Sequence, residues 1–257
     1  QEAMMSYFGR FNYNYLSKYL LEANLRYDGS SKFLPENRWD FFYGFSGGWR
    51  LTEENFMKNV KFLNELKLRL SYGVVGNQSG ISRYDGRQLY NFNSVNGAYL
   101  GDGRVSYVKS NGEIATTGRS WERIHNYNLG VDFSLLKNKL SGSLDAYVKQ
   151  GKEVISNYDA PLPPFMFDQI FTNVASTSSK GLELTLNWDV VNMKDFSYST
   201  NLVASFTKSK LDKFSNGTYQ KGYMDRYLLP APGNPGYAQR LQDGVEIGSF
   251  YGLRYAG

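Results

Sequence analysis

A chain of 257 residues can form one large all-β domain or two smaller ones, and its lack of cysteine excludes disulfide bonds and thiol chemistry. Its net charge of +5 is small and its basic residues are scattered along the chain, so we expect no nucleic-acid partner. No run of about 18 apolar residues is present, which excludes a transmembrane helix.

Eight segments show the alternation of apolar and polar residues that predicts a β-strand with two unlike faces. The hairpin at residues 121–150 shows it most clearly, because Leu129, Val131 and Phe133 share one face and polar residues or glycine lie between them. In chain order, the segments are residues 5–13, 19–28, 39–51, 65–75, 124–135, 140–150, 180–190 and 196–210. Most of them have about ten residues or more, which is longer than the usual strand of a soluble sheet.

The connections between these segments alternate between short and long. The short ones are tight turns, apart from residues 52–64, where apolar spacing predicts one or two helical turns. The long ones include three polar loops, which we expect to be external: residues 76–119, with a short hairpin near 105–108, residues 156–178 and residues 211–245. The pattern predicts an antiparallel up-and-down transmembrane β-barrel. We expect only part of a barrel, because an open sheet leaves bare edges that cannot face lipid.

The apolar face carries the tryptophans of these strands. Trp39 and Trp49 have the same parity and are ten residues apart, a distance of roughly 33 Å along a strand and roughly 24 Å across a bilayer at the usual tilt. This matches the height of the apolar band of an outer-membrane barrel, so we expect Trp39, Trp49 and Trp188 to belong to its aromatic girdles.

The opposite face carries charged residues on several strands. We expect them to line a hydrated wall, with ligand contact along a translocation path as the alternative. They are Arg69, Asp132, Asp145, Lys149 and Glu183, with Asp189 of the same parity.

Several segments resemble a known family in their wording and order. They are RYDGSSKF (26–33), NRWDFF (37–42), GWRLTEENFM (48–57), LKLRLSYGVVGNQ (66–78), NLGVDF (128–133), NVA (173–175), SKGLEL (179–184) and GSFYG (248–252). Together they resemble the SusC/RagA family of TonB-linked (TonB-dependent) outer-membrane transporters. The resemblance covers nearly the whole chain.

The resemblance implies a barrel of about 22 strands that is plugged by an N-terminal globular domain. This chain would supply about eight or nine strands from the C-terminal half, with the plug and the TonB box outside it. The family imports glycan oligomers or peptides through the outer membrane of Gram-negative bacteria. The implied partners are a SusD-like outer-membrane lipoprotein that acts as a lid, TonB, the lipid bilayer, and a glycan or peptide ligand. No cofactor is implied.

The residues offer no coherent catalytic or metal site, so we expect no enzyme activity. The lone His125 has the parity of the apolar face, and we expect it to have an interfacial structural role. Aromatic residues in the long loops are the candidates for contact with the ligand or the lid, because sugars bind on aromatic faces and loops carry recognition. These candidates are Tyr99, Trp121, Tyr158, Phe165 and Phe167.

Two other functions fit parts of this pattern. A passive porin-like channel would share the barrel wall and lack the plug. A soluble β-sandwich that binds carbohydrate would place the apolar face on a second sheet instead of in lipid.

Overall fold

The computed structural model describes residues 2–82, 90–100, 103–110, 118–159, 169–215, 222–229 and 236–252. Its main feature is one eight-stranded sheet in which every neighbouring pair is antiparallel. The strands of this sheet are β1 (Met4–Tyr15), β2 (Tyr19–Ser30), β3 (Trp39–Arg50), β4 (Leu63–Asn77), β7 (Glu122–Leu135), β8 (Leu140–Asp159), β9 (Gln169–Asn192) and β10 (Ser197–Phe214). Their order in the sheet is their order in the chain.

Two separate hairpins extend the long connections. The first pairs β5 (Tyr90–Leu100) with β6 (Gly103–Ser110), and the second pairs β11 (Tyr223–Leu228) with β12 (Tyr237–Gln242). The meander of the large sheet confirms the predicted all-β, antiparallel, up-and-down architecture of a partial barrel. None of the helices in the described part has the length and apolar character needed to cross a bilayer.

The two faces of the sheet separate as the alternation predicts. On one face, Leu129 is 55% exposed and Leu182 is 54% exposed. Val131, Leu184 and Leu186 on the same face are half-buried by their strand neighbours. No second layer covers this face in the described part of the chain, so the sandwich arrangement is absent there.

The connections lie at two ends of the sheet. At one end, which we call the turn end, β1–β2, β7–β8 and β9–β10 are joined by tight turns, and β3–β4 by a link with 3-10 turns at Leu51–Glu53 and Asn55–Met57. These 3-10 turns agree with the helical turns predicted for residues 52–64. All the other connections of the sheet lie at the opposite end, which we call the loop end.

The strands run further into the loop end than the sequence suggested. β8 continues to Asp159 and β9 begins at Gln169, so both occupy parts of the expected loop 156–178. β10 ends at Phe214, beyond the expected start of the loop at residue 211, and the β11–β12 hairpin follows within that loop. β4 likewise ends at Asn77, and β5–β6 extend the short hairpin expected near residues 105–108.

Two small apolar clusters stabilise the loop end. One joins Phe33, Phe42, Val74, Ile81 and Trp121. The other joins Val174, Ala175, Leu211, Phe214 and Met224, and thereby packs the β11–β12 hairpin on the ends of β9 and β10.

Candidate functional site: the two faces of the sheet

An ion cluster joins three strands on the polar face. Arg69 on β4 donates from Nε to Asp132 Oδ2 on β7 at 2.8 Å and from Nη2 to both oxygens of Asp145 on β8 at 3.0 Å. Lys67 Nζ lies 3.9 Å from Asp132 Oδ2. The structure therefore brings together three of the five charged residues predicted for this face.

A glycine makes this cluster possible. Gly130 on β7 lies directly between Arg69 and Asp145 in the sheet register. A Cβ atom at Gly130 would lie 2.5 Å from Asp145 Oδ1 and 2.6 Å from Arg69 Nη2. The missing side chain leaves the space through which the arginine crosses β7.

The other two predicted residues, Glu183 and Lys149, lie on the same face outside the three-strand cluster. Glu183 on β9 is exposed and lies directly opposite Asp145, so two carboxylates face each other across neighbouring strands. The ammonium group of Lys149 lies 4.8 Å from the ring centroid of Tyr147. This region therefore keeps exposed charge of both signs.

Tyr147 forms a second bridge over a glycine. Its hydroxyl lies 2.7 Å from Thr207 Oγ1 on β10, and its ring covers Gly181 on the intervening strand β9. Such aromatic cover over a glycine fills the gap that the absent side chain leaves in the sheet.

The apolar face carries one aromatic group near each end of β1–β3. At the loop end, Trp39 stacks on Tyr27 with ring centroids 5.0 Å apart. At the turn end, Trp49 stacks on Tyr19 at 6.5 Å. Trp188 belongs to the same face and is 48% exposed near the turn end. These positions are compatible with aromatic girdles, which stay a prediction for all three tryptophans.

A single carboxylate ties the turn end together. Glu54, in the link between β3 and β4, accepts hydrogen bonds from Tyr19 Oη at 2.8 Å, Lys18 Nζ at 3.0 Å and Trp49 Nε1 at 3.2 Å. These hydrogen bonds lower the pKa of Glu54 because they stabilise its charged form, and the hydrogen bond from Tyr19 has the largest effect. The sequence pattern did not single out this residue.

Trp121 does not occupy the position expected of a ligand contact. It is only 2% exposed, packs against Phe33 and Phe42, and donates from Nε1 to the Arg38 carbonyl at 3.1 Å. Its indole therefore has no open face for a sugar or a peptide, and we correct its predicted role to one of packing.

The other predicted ligand contacts cannot be placed. Phe165 and Phe167 lie outside the described residues. Tyr99 and Tyr158 belong to β5 and β8, but their side chains also lie outside the described part.

His125, predicted to be structural, lies on the apolar face with Nδ1 3.0 Å from Tyr72 Oη.

The structure also shows a group at the loop end that sequence reasoning missed. Arg240 on β12 donates to Asp225 on β11 at 2.6 Å, and its guanidinium carbon lies 4.3 Å from the Tyr223 ring centroid and 4.0 Å from that of Tyr251. Two tyrosine rings and a carboxylate thus hold one arginine, which rigidifies the hairpin.

Comparison with known proteins places this architecture in a family. The model of the TonB dependent receptor-like β-barrel matches residues 3–256. The TonB-dependent receptor SusC of Bacteroides thetaiotaomicron is 30% identical over 98% of this chain. The TonB-dependent receptor P3 of Formosa agariphila is 35% identical over 99% of it.

Solved structures of an importer and of a receptor have a fold similar to that of this chain. The RagAB peptide importer in its 'open-open' state superposes with a TM-score of 0.77 at 25% identity over 95% of this chain. The siderophore receptor PirA of Pseudomonas aeruginosa, at 16% identity and a TM-score of 0.50, shares the fold alone. This chain spans only about a quarter of the length of SusC and of the RagAB chain, 25% and 24% respectively. The chain belongs to the TonB-dependent receptor β-barrel family, with SusC and RagAB among its relatives.

Proposed function

We propose that this chain forms eight strands of the barrel wall of an outer-membrane importer of the SusC/RagA type in a Gram-negative bacterium. The observation that carries the proposal is a single-layer sheet whose apolar face is open. Leu129 and Leu182 are more than half exposed on that face, and exposed leucines repeat along neighbouring strands. In water such a surface is unfavourable, whereas in lipid it is the normal outer surface of a barrel.

The polar face would then look into the barrel interior. Charged side chains there are partly exposed and hydrogen-bonded to one another, as in the Arg69–Asp145 pair. We propose that Arg69, Asp132, Asp145, Lys149 and Glu183 line the interior and contact water or a plug domain. The loop end, with its long connections, would be extracellular, and the turn end periplasmic.

The cargo we propose is a glycan oligomer or a peptide. The RagAB structures are described as those of a peptide importer, which supports peptides. The resemblance to the SusC/RagA family supports glycan oligomers equally. Tyr99, Tyr158, Phe165 and Phe167 stay our candidates for contact with the cargo or the lid, and the proposed partners are a SusD-like lipoprotein and TonB.

The first experiment tests the location of the full-length protein. Membrane fractionation should recover it with the outer membrane, and detergent should be needed to extract it. Recovery in the soluble fraction without detergent would refute the barrel assignment.

The second experiment tests the mechanism. Uptake of labelled oligosaccharides and peptides should require both this protein and TonB, because the proposed importer is energised. Uptake that persists at the same rate without TonB would favour the passive porin-like channel. The relatives are named as receptors and as an importer, which supports transport rather than catalysis as the function we propose.

A further inference from the structure

A group of lysines interrupts the apolar face of β9 and β10 on the loop-end side of the leucines Leu182, Leu184 and Leu186. Lys180 on β9 and Lys208 on β10 lie directly opposite each other in the sheet register, and Lys210 follows two residues along β10. All three have the parity of Leu182 and Phe206, the next opposed pair toward the turn end, so they belong to the apolar face. We call this set the lysine groove.

The lysine groove is a cavity bordered by a backbone segment that pairs with β10. Lys180, Lys208, Lys210, Leu182 and Phe206 line a cavity of about 420 Å³ together with Glu246. Residues 245–247 pair with the edge of β10, where Leu211 N donates to Val245 O at 3.0 Å and Ile247 N donates to Ser209 O at 2.8 Å. Among the described residues, the groove is thus closed on one side by backbone and open on the others.

The charges in the groove are only partly compensated. Lys208 Nζ lies 3.4 Å from Glu246 Oε1, and Lys210 Nζ lies 3.1 Å from Asp212 Oδ1. The first pair is largely exposed and therefore weak. In the second, Asp212 is half-buried and also accepts a hydrogen bond from Ser178 Oγ. Lys180 still faces Lys208 directly, and like charges opposite each other destabilise a sheet unless an anion lies between them. The groove therefore carries an excess of positive charge.

The position of the groove matches a membrane boundary. Lys180 precedes Trp188 by eight residues on the same face of β9, which is roughly 26 Å along the strand and about 20 Å across a bilayer at a tilt of about 40°. Between them, Leu182, Leu184 and Leu186 face the same way. The lysines thus lie at the level of lipid head groups, at the upper end of an apolar track.

We infer that the lysine groove binds the phosphate-bearing head group of an outer-leaflet lipid, whose acyl chain lies along the Leu182–Phe206 track. This inference rests on the proposed orientation of the barrel in the outer membrane. The lysines supply charge for the phosphate, as basic clusters at a membrane surface do for anionic lipids. Inorganic phosphate alone would use the lysines but not the apolar track, which favours a lipid.

The test compares lipid binding by variants of the full-length protein. Protein purified in detergent is incubated with phosphorylated lipid A or with dephosphorylated lipid A, and bound lipid is counted by native mass spectrometry. The variant Lys180→Gln/Lys208→Gln/Lys210→Gln removes the three charges of the groove. The matched control, Lys137→Gln/Lys139→Gln/Lys194→Gln, removes three exposed charges at the turn end.

We expect the groove variant to bind phosphorylated lipid A about tenfold more weakly or worse, and the control to bind like the wild type. The wild type should prefer the phosphorylated lipid by a similar factor. Glu246→Gln should tighten binding because it removes the carboxylate that competes for Lys208. The single variant Lys180→Gln, which leaves both ion pairs intact, should weaken binding in the same direction and guards against a folding defect in the triple variant.

Equal binding by the groove variant and the wild type, or equal binding of both lipids, would overturn the inference. Displacement of the lipid by a few millimolar inorganic phosphate would also contradict it, because it would indicate a simple anion site. Each of these results would leave the barrel assignment intact. Recovery of the protein in the soluble fraction would instead refute the proposed function itself.

Discussion

The guanidinium of Arg69 and the carboxylate of Asp145 meet across an intervening strand, 3.0 Å apart on the polar face. The strand between them contributes Gly130, which has no side chain to block the contact. Side chains thus tie β4, β7 and β8 together in addition to the backbone hydrogen bonds. A barrel wall is a single sheet. In such a wall, side-chain contacts between strands supply part of the stabilisation that a packed core gives a soluble domain.

This relationship predicts that Gly130→Ala destabilises the barrel. The new Cβ would displace Arg69 or Asp145, and we expect a loss of about 1–2 kcal/mol in the free energy of unfolding. Thermal unfolding of the full-length protein in detergent, followed by circular dichroism, measures it.

Gly44→Ala is the matched control. Gly44 lies on the same face of β3, and its nearest neighbour, the Tyr72 carbonyl oxygen, would be 3.8 Å from a new Cβ. We expect this variant to be neutral or slightly more stable, because alanine costs less backbone entropy than glycine. Equal destabilisation by both substitutions would show that the space at Gly130 has no special role.

A second prediction concerns acid. The folded-state pKa of Glu54 is lowered, mainly by the hydrogen bond from Tyr19 and then by those from Lys18 and Trp49. A carboxylate with a depressed folded pKa contributes stability above its unfolded pKa of about 4.3, and this contribution is lost as the pH falls through the folded pKa. The turn end should therefore loosen as the pH falls below the unfolded pKa and through the lower folded one.

Intrinsic fluorescence of Trp49 between pH 6 and pH 3 reports this change, with the other tryptophans replaced by phenylalanine. Glu54→Gln should remove this pH transition. The Trp49 fluorescence of the variant should then match that of the wild type at low pH throughout the range. Glu53→Gln is the control, since Glu53 makes only a 3.9 Å contact with Arg50. An unchanged transition in the Glu54 variant would contradict the assignment.

A third prediction concerns backbone strain in the β7–β8 turn. Leu136, Lys137 and Asn138 all have positive φ values, 54°, 57° and 65°. Lysine is unfavourable in this conformation, so Lys137→Gly should stabilise the protein by about 0.5–1 kcal/mol.

The neighbouring Lys139 serves as the control for that turn. It does not have a positive φ, so Lys139→Gly gains nothing from relief of strain and adds entropy to the unfolded chain. We expect this second variant to lower the unfolding temperature while Lys137→Gly raises it. A fall in both variants would mean that the turn is not strained at Lys137.

The sequence predicted the eight strands and their faces because lipid and water impose a strict period of two. It did not predict the full length of β8, since the ladder with β9 shifts register between Gly151 and Val154 and again after it. Each shift breaks the alternation of side chains. In the proposed barrel, both faces of these strands also contact water beyond the bilayer, which removes the apolar signal there.

The contacts within the sites were harder to predict than the faces. Arg69 and Asp145 are 76 residues apart in the chain, and their meeting depends on the registers of two strand pairs. Trp121 was predicted to contact a ligand because it is an aromatic residue near a loop. Trp121 is buried in part by Phe33. Because Phe33 lies in the β2–β3 connection, far from Trp121 in the chain, the sequence around Trp121 does not reveal this contact.

The orientation of the two faces gives the last prediction, tested at adjacent residues of β7. Leu129 is 55% exposed on the apolar face, and Asn128 lies on the polar face next to it. If the apolar face contacts hydrocarbon, Leu129→Lys places a charge in lipid and should cost about 2–4 kcal/mol near the midplane. Asn128→Lys places the same charge in the hydrated interior and should cost less than about 1 kcal/mol.

Unfolding in urea, from barrels assembled in lipid vesicles, measures both costs. The same cost at both positions would mean that neither face meets lipid, because a soluble sheet with an open apolar face would accept lysine at Leu129 at least as readily as at Asn128.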